Sequence, residues 1–216
     1  MPLILHKDII NGEIGLWEIS EELEDLEHLA GLSLTDSITY SGISALHRKK
    51  EWLATRALLR ELLGKTITIN YHNDGRPYLE SCRYNISISH SACFVAIMLH
   101  ENNIPGIDIE LSSRQVSKVA SRFLSPDEYE VCRDRTGISN HKLLLHWCAK
   151  EAIFKMIHFS NVEFSADIQI TLNDTTADSG SFQGFYAGKT GQILVPLEYI
   201  EEYGVMMVWG MTSEIR

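Results

Sequence analysis

The sequence predicts an α+β fold of two similar lobes related by a pseudo-twofold duplication, each a small, mostly antiparallel sheet packed with a long helix. Three observations carry this reading. The segments from Trp52 to Arg60 and from Trp147 to Lys155 share one pattern: Trp-x-Ala-x-x-Ala, two apolar residues, then a base, at helical spacing. Roughly the same offset relates Ile14-Gly15-Leu16-Trp17-Glu18-Ile19 to Pro105-Gly106-Ile107-Asp108-Ile109-Glu110, and Leu32-Ser33 to Leu124-Ser125. Three matches in the same order indicate a repeat.

Each half is expected to run strand, helix, loop, long helix, then hairpin strands. In the first half, Tyr71 to Tyr78 holds Asn73-Asp74-Gly75, the chemistry of a tight turn. Tyr84–Ser89 and Cys93–Leu99 are β-rich runs around His90-Ser91-Ala92. The boundary is expected between Asn102 and Pro105, giving an N-terminal lobe over 1–104 and a C-terminal lobe over 105–216. In the second half, Val162–Leu172 and Val205–Met211 read as strands, and Asn173–Ser181 as a polar loop rich in Gly, Ser and Thr.

Composition excludes some functions. The chain has 216 residues, 44% of them hydrophobic, which is ample for a core. It carries 19 basic against 29 acidic residues, a net charge of -10, so nucleic acid is not the expected partner. No apolar run has membrane-spanning length, and His6, Lys7 and Asp8 interrupt the start, which does not read as a signal peptide. The four cysteines are scattered, as small core residues of a reducing compartment would be. The expectation is a cytoplasmic monomer without a membrane anchor.

The chemistry concentrates in Gly106-Ile107-Asp108-Ile109-Glu110. In a strand, Asp108 and Glu110 share one face, and adjacent carboxylates repel. Mg²⁺ takes oxygen ligands and is commonly shared between carboxylates and substrate phosphates. Taken alone, the pair fits either such a cation or the wet face of an edge strand. Glu151, on the Trp147 helix, would complete a three-carboxylate cluster, and Arg56 holds the matching place in the first copy. A cation in one lobe and an anion in the other would polarise the cleft between them.

Four motifs now stand in order: Gly75-Arg76-Pro77, Ser87-Ile88-Ser89-His90-Ser91, Gly106 to Glu110, and the helix carrying Trp147, Lys150, Glu151, Ala152 and Lys155. In order and spacing they resemble the 4′-phosphopantetheinyl transferases. The likeness is to the longer, internally duplicated (surfactin-synthetase-activating) class that serves peptide and polyketide synthases, not the short trimeric class. It spans roughly residues 48 to 155.

The resemblance implies transfer of the phosphopantetheine arm of coenzyme A to a carrier-protein serine, with release of adenosine 3′,5′-bisphosphate. It implies Mg²⁺, or Mn²⁺, held by Asp108, Glu110 and Glu151. Glu151 would be the base, directly or through a bound water. Lys155, one turn on, would hold Glu151 or meet phosphate, and Lys150 would be either a phosphate contact or a solvated charge. His90 and Ser89 would meet the diphosphate. Arg48, Lys49, Arg56, Arg76 and Pro77 would take the nucleotide and its 3′-phosphate, since residues 48 to 60 hold five bases and one acid. Arg114, Lys118 and Arg122, read as one stripe of a helix, would dock an acidic apo acyl or peptidyl carrier protein. Two alternatives from other classes are another Mg²⁺-dependent enzyme of nucleotide diphosphates and a silent binding module for coenzyme A or carrier protein.

Overall fold

The computed structural model describes residues 2–135, 137–157, 161–172, 177–188 and 191–213. These fall into two compact units, Met1–Asn103 and Ile104–Arg216.

The first unit opens with the hairpin β1 (Leu3–Ile9) and β2 (Gly12–Glu18), followed by α1 (Leu23–Ala30), α2 (Leu34–Ser41) and the long α3 (Leu46–Leu63). A small hairpin, β3 (Ile69–Tyr71) and β4 (Pro77–Leu79), leads to β5 (Asn85–Ser91) and β6 (Phe94–His100). The main sheet is antiparallel with order β1-β2-β6-β5. Helix α3 gives Leu53, Ala54, Ala57 and Leu58 to a core with Trp17, Val95, Ile97 and Leu99 of the sheet. All seven residues of β6 are buried, so it reads as a continuous apolar run and not an alternating one.

The second unit starts with β7 (Ile104–Leu111), a 3₁₀ helix (Ser117–Arg122), α4 (Pro126–Val131), the two-residue strands β8 (Arg133–Asp134) and β9 (Gly137–Ile138), and the long α5 (Asn140–Met156). It ends with α6 (Phe164–Asp167), β10 (Ile168–Thr171), β11 (Ser179–Gly188), β12 (Gly191–Glu202) and β13 (Val205–Thr212). The main sheet is antiparallel with order β10-β11-β12-β13-β7. Helix α5 is buried almost all round, from Leu143 to Met156. It lies close because glycines line the sheet face beneath it. A Cβ at Gly106 would stand 2.1 Å from the Ala152 carbonyl oxygen, one at Gly184 2.3 Å from Ile153 Cδ1, and one at Gly210 3.3 Å from Met156 Cε. Gly106 and Gly210 are cross-strand partners, so the helix sits in a glycine trough.

The two units follow one plan. β2 pairs with β6 as β7 pairs with β13, and a long helix packs on each pair. The repeated Leu-Ser marks a helix N-cap in both: the Ser33 side chain accepts from the Asp36 N–H, and the Ser125 side chain from the Glu128 N–H. In the first unit Gly15 faces α3 as Gly106 faces α5, its Cβ position 2.7 Å from Leu58 Cδ1.

Two expectations need correction. Of Val162–Leu172, only Ile168–Thr171 is strand, and Phe164–Asp167 is a helical turn. Of the loop expected over Asn173–Ser181, residues 173–176 lie outside the described residues, and Ser179–Ser181 already belong to β11. Among the described residues no helix is long and apolar enough to cross a membrane.

A candidate active site on strand β7 and helix α5

β7 is an edge strand, yet Asp108 and Glu110 are only 6% and 8% exposed, which removes the wet-face reading. Their common face is the one α5 covers, and the glycine trough brings the helix within reach. The Lys155 ammonium donates to Asp108 Oδ1 and to the Ile107 carbonyl, both at 2.8 Å. Glu110 pairs with Arg114 and accepts a hydrogen bond from Trp147 Nε1 at 3.2 Å. The buried Cys148 thiol stays protonated: burial raises its pKa well above the usual thiol value, and the Asp108 charge adds to this.

Glu151, on α5, lies near enough to Asp108 to feel its charge. Burial, and then the charge of Asp108, push its acid up from the usual 4.5 to about 7, against the opposing charges of Lys155 and Arg114. A carboxyl poised near neutrality at the end of an acidic face suits proton transfer.

The donors are all oxygen, which fits a hard divalent cation in kind. Their placement is looser. Among the described residues no group of three or more His, Cys, Asp or Glu side chains converges as a metal site. Two of the three carboxylates are paired with cations, Asp108 with Lys155 and Glu110 with Arg114.

Two cations expected at phosphate are structural instead. Lys150 is fully buried, and its ammonium donates to Glu128 Oε2 at 2.7 Å, the Phe164 carbonyl at 2.8 Å and the Ile168 carbonyl at 2.6 Å. An ammonium has three protons, and all three are used. It is neither a phosphate contact nor a solvated charge. Arg56 is 5% exposed, pairs with Asp36 at 3.0 Å, and lies over the Trp52 ring at 3.2 Å. Both acids sit at the third position of a serine-capped helix, Ser33-x-x-Asp36 and Ser125-x-x-Glu128. That spacing was the signal, visible in the sequence, for two partners that sequence reasoning missed.

Most of the other expected contacts in the first unit stay nearer water. Arg48 pairs with Glu51 and keeps a side chain 54% exposed, and Lys49 lies over the Tyr40 ring. Arg76 is held by Asp74 at 2.7 Å in the β3–β4 turn, and Pro77 opens β4. Ser89 is buried in β5, while His90 is exposed one residue from the strand end; the turn itself falls at Ala92 and Cys93.

The basic stripe is also revised. Arg114 precedes the 3₁₀ helix and folds back onto Glu110. Lys118 and Arg122 lie within it, exposed, but at three residues per turn a spacing of four turns them about 120° apart, not into one line.

No curated protein matches the chain significantly. A family model described as the 4′-phosphopantetheinyl transferase superfamily matches residues 105–203, from the start of the β7 motif through β12. That segment holds Asp108, Glu110, Arg114, Trp147, Glu151 and Lys155. The chain therefore carries a 4′-phosphopantetheinyl transferase superfamily domain over residues 105–203.

Proposed function

We propose that the protein transfers the 4′-phosphopantetheine arm of coenzyme A to a serine of an apo carrier protein, as enzymes of the internally duplicated class do. The observation that carries this reading is the Glu151 carboxyl, raised to about 7 beside Asp108 within the matched segment. Glu151 accepts the serine proton, the serine oxygen forms a bond to the phosphorus bearing the pantetheine, and the diphosphate bridge breaks. Adenosine 3′,5′-bisphosphate leaves with the bridging oxygen. Lys155 holds Asp108 in place through their ion pair, and its position at the same face suits contact with phosphate. Asp108, Glu110 and Glu151 would hold Mg²⁺, for which Mn²⁺ can substitute, and the bound cation would neutralise charge developing on the diphosphate.

For coenzyme A, Arg48, Lys49, Arg76, Pro77, Ser89 and His90 remain the proposed contacts; Arg56 and Lys150 leave that set. For the carrier, Lys118 and Arg122 remain the proposed docking cations, since Arg114 is engaged with Glu110. The enzyme is proposed to act as a cytoplasmic monomer.

Intact-mass analysis of a panel of apo carrier proteins, incubated with enzyme, coenzyme A and Mg²⁺, tests this. One or more carriers should gain a phosphopantetheine group, with one adenosine 3′,5′-bisphosphate released per transfer. Glu151→Gln and Asp108→Ala should each lower the rate at least about a hundredfold. Cleavage of coenzyme A with no mass gain on any carrier would instead identify a diphosphate hydrolase.

A further inference from the structure

We propose that Arg114 is a displaceable internal counter-ion, whose guanidinium occupies Glu110 in the metal-free enzyme and must swing away before Glu110 can serve a divalent cation. This rests on the proposed metal role of Asp108, Glu110 and Glu151.

The two members of the pair are held very differently. Glu110 has a side chain 10% exposed on a paired strand, while that of Arg114 is 44% exposed and reaches in from the solvent side. The main chain beneath Arg114 is fixed. Ser112 N–H donates to the Gly204 carbonyl, Arg114 N–H to the Leu111 carbonyl, and the Asn140 side chain to the Arg114 carbonyl, each at 2.9 Å. Only the long side chain is left to move. Lys155, the other cation of the site, is 26% exposed and bound to both Asp108 and the Ile107 carbonyl, so it is built in where Arg114 is hung on.

Trp147 makes the exchange workable. Its Nε1–H holds Glu110 at 3.2 Å, a neutral donor that keeps the carboxylate oriented after the guanidinium leaves. Arg114 also rests over the Trp147 ring, 5.5 Å from its centroid, so departure of the cation alters the indole's surroundings. The charge of Arg114 reaches Glu151 as well, where it opposes the upward push on that acid. One side chain thus stands in for part of the divalent charge at two of the three carboxylates. A pair open to water on one side is weak enough to be displaced, and should cost a competing cation about two- to fivefold in affinity.

Mn²⁺ titration of the full chain, followed by the electron paramagnetic resonance of free Mn²⁺, tests the idea on wild type, Arg114→Ala and Arg122→Ala. Arg114→Ala should bind Mn²⁺ about two- to fivefold more tightly than wild type, with Arg122→Ala unchanged. In parallel, Mg²⁺ should change the tryptophan fluorescence of wild type, and Trp147→Phe or Arg114→Ala should remove most of that change. Equal or weaker Mn²⁺ binding by Arg114→Ala overturns the counter-ion role while leaving the metal reading intact. So does an equal gain in Arg122→Ala, which would mark a general field effect. Failure of every form to bind Mn²⁺ removes the metal reading, and the counter-ion with it.

Discussion

At Glu151 burial and the Asp108 charge act in the same direction, and the consequence can be measured without substrate. The folded acid titrates near 7 and the unfolded one at about 4.5, so between these values the folded chain keeps a proton the unfolded chain has lost. Stability from this group is therefore complete below about pH 4.5 and is lost as pH rises through 7. At about 1.4 kcal/mol per unit, discounted for partial exposure, the loss is on the order of 2 kcal/mol. Metal-free wild type should lose roughly 4–8 °C in Tm between pH 5 and pH 8 relative to Glu151→Gln, whose curve lacks this term. Parallel melting curves for the two forms would remove the raised acid and the case for Glu151 as base. Lys150 and Arg56 teach the opposite lesson at the same scale. Arg56 was expected at phosphate from the run of bases over residues 48–60 and Lys150 from the transferase motif, yet Asp36 and Glu128, each three residues after a capping serine, claim them.

Among the elements, α5 decides whether there is a site at all, and three glycines decide where α5 lies. Gly106→Ala would set a methyl 2.1 Å from the Ala152 carbonyl oxygen and 2.6 Å from Met156 Cε, so strand and helix must separate. We expect a loss of about 2–3 kcal/mol in stability, with a larger fall in transfer rate because Asp108 moves away from Glu151. Gly42→Ala is the control: its nearest neighbour would be Thr39 O at 3.4 Å, with no unusual backbone angle to preserve, and it should be nearly neutral. If Gly106→Ala melts with the Gly42→Ala protein, the close approach does not hold the site together. The same glycines explain what the sequence hid. Long helices, the tight turn at Asn73-Asp74-Gly75 and the strands β5, β6, β7 and β13 follow from period and turn chemistry. β11 does not: Gly180 falls in the segment read as a polar loop, and Gly184, where Ile153 of the helix presses on the sheet, has no side chain to mark a strand face. The 3₁₀ helix was likewise illegible, since its charges recur at a spacing an α-helix would have used.

For the molecule as a whole, the net charge of -10 conflicts with an acidic protein substrate unless a local patch reverses the sign. Arg114, though exposed, is engaged with Glu110, which leaves Lys118 and Arg122 as the other exposed bases of the segment that follows the carboxylate strand. They are too few to bind a carrier strongly, and attraction between exposed charges is screened beyond about 10 Å at 0.1 M salt. Their effect should therefore fall on encounter and not on the chemical step. Lys118→Glu combined with Arg122→Glu should lower kcat/KM for an acidic apo carrier about tenfold at low ionic strength, through KM, while the KM for coenzyme A stays within about twofold. The gap between wild type and the double variant should narrow steadily as salt is raised. Among the described residues neither side chain forms an ion pair with Asp108, Glu110 or Glu151, so a fall in kcat at saturating carrier would point to a disturbed 3₁₀ segment and not to docking. A double variant with wild-type carrier kinetics at low salt would show that these bases are solvated surface, and that the carrier is recognised through apolar contacts elsewhere.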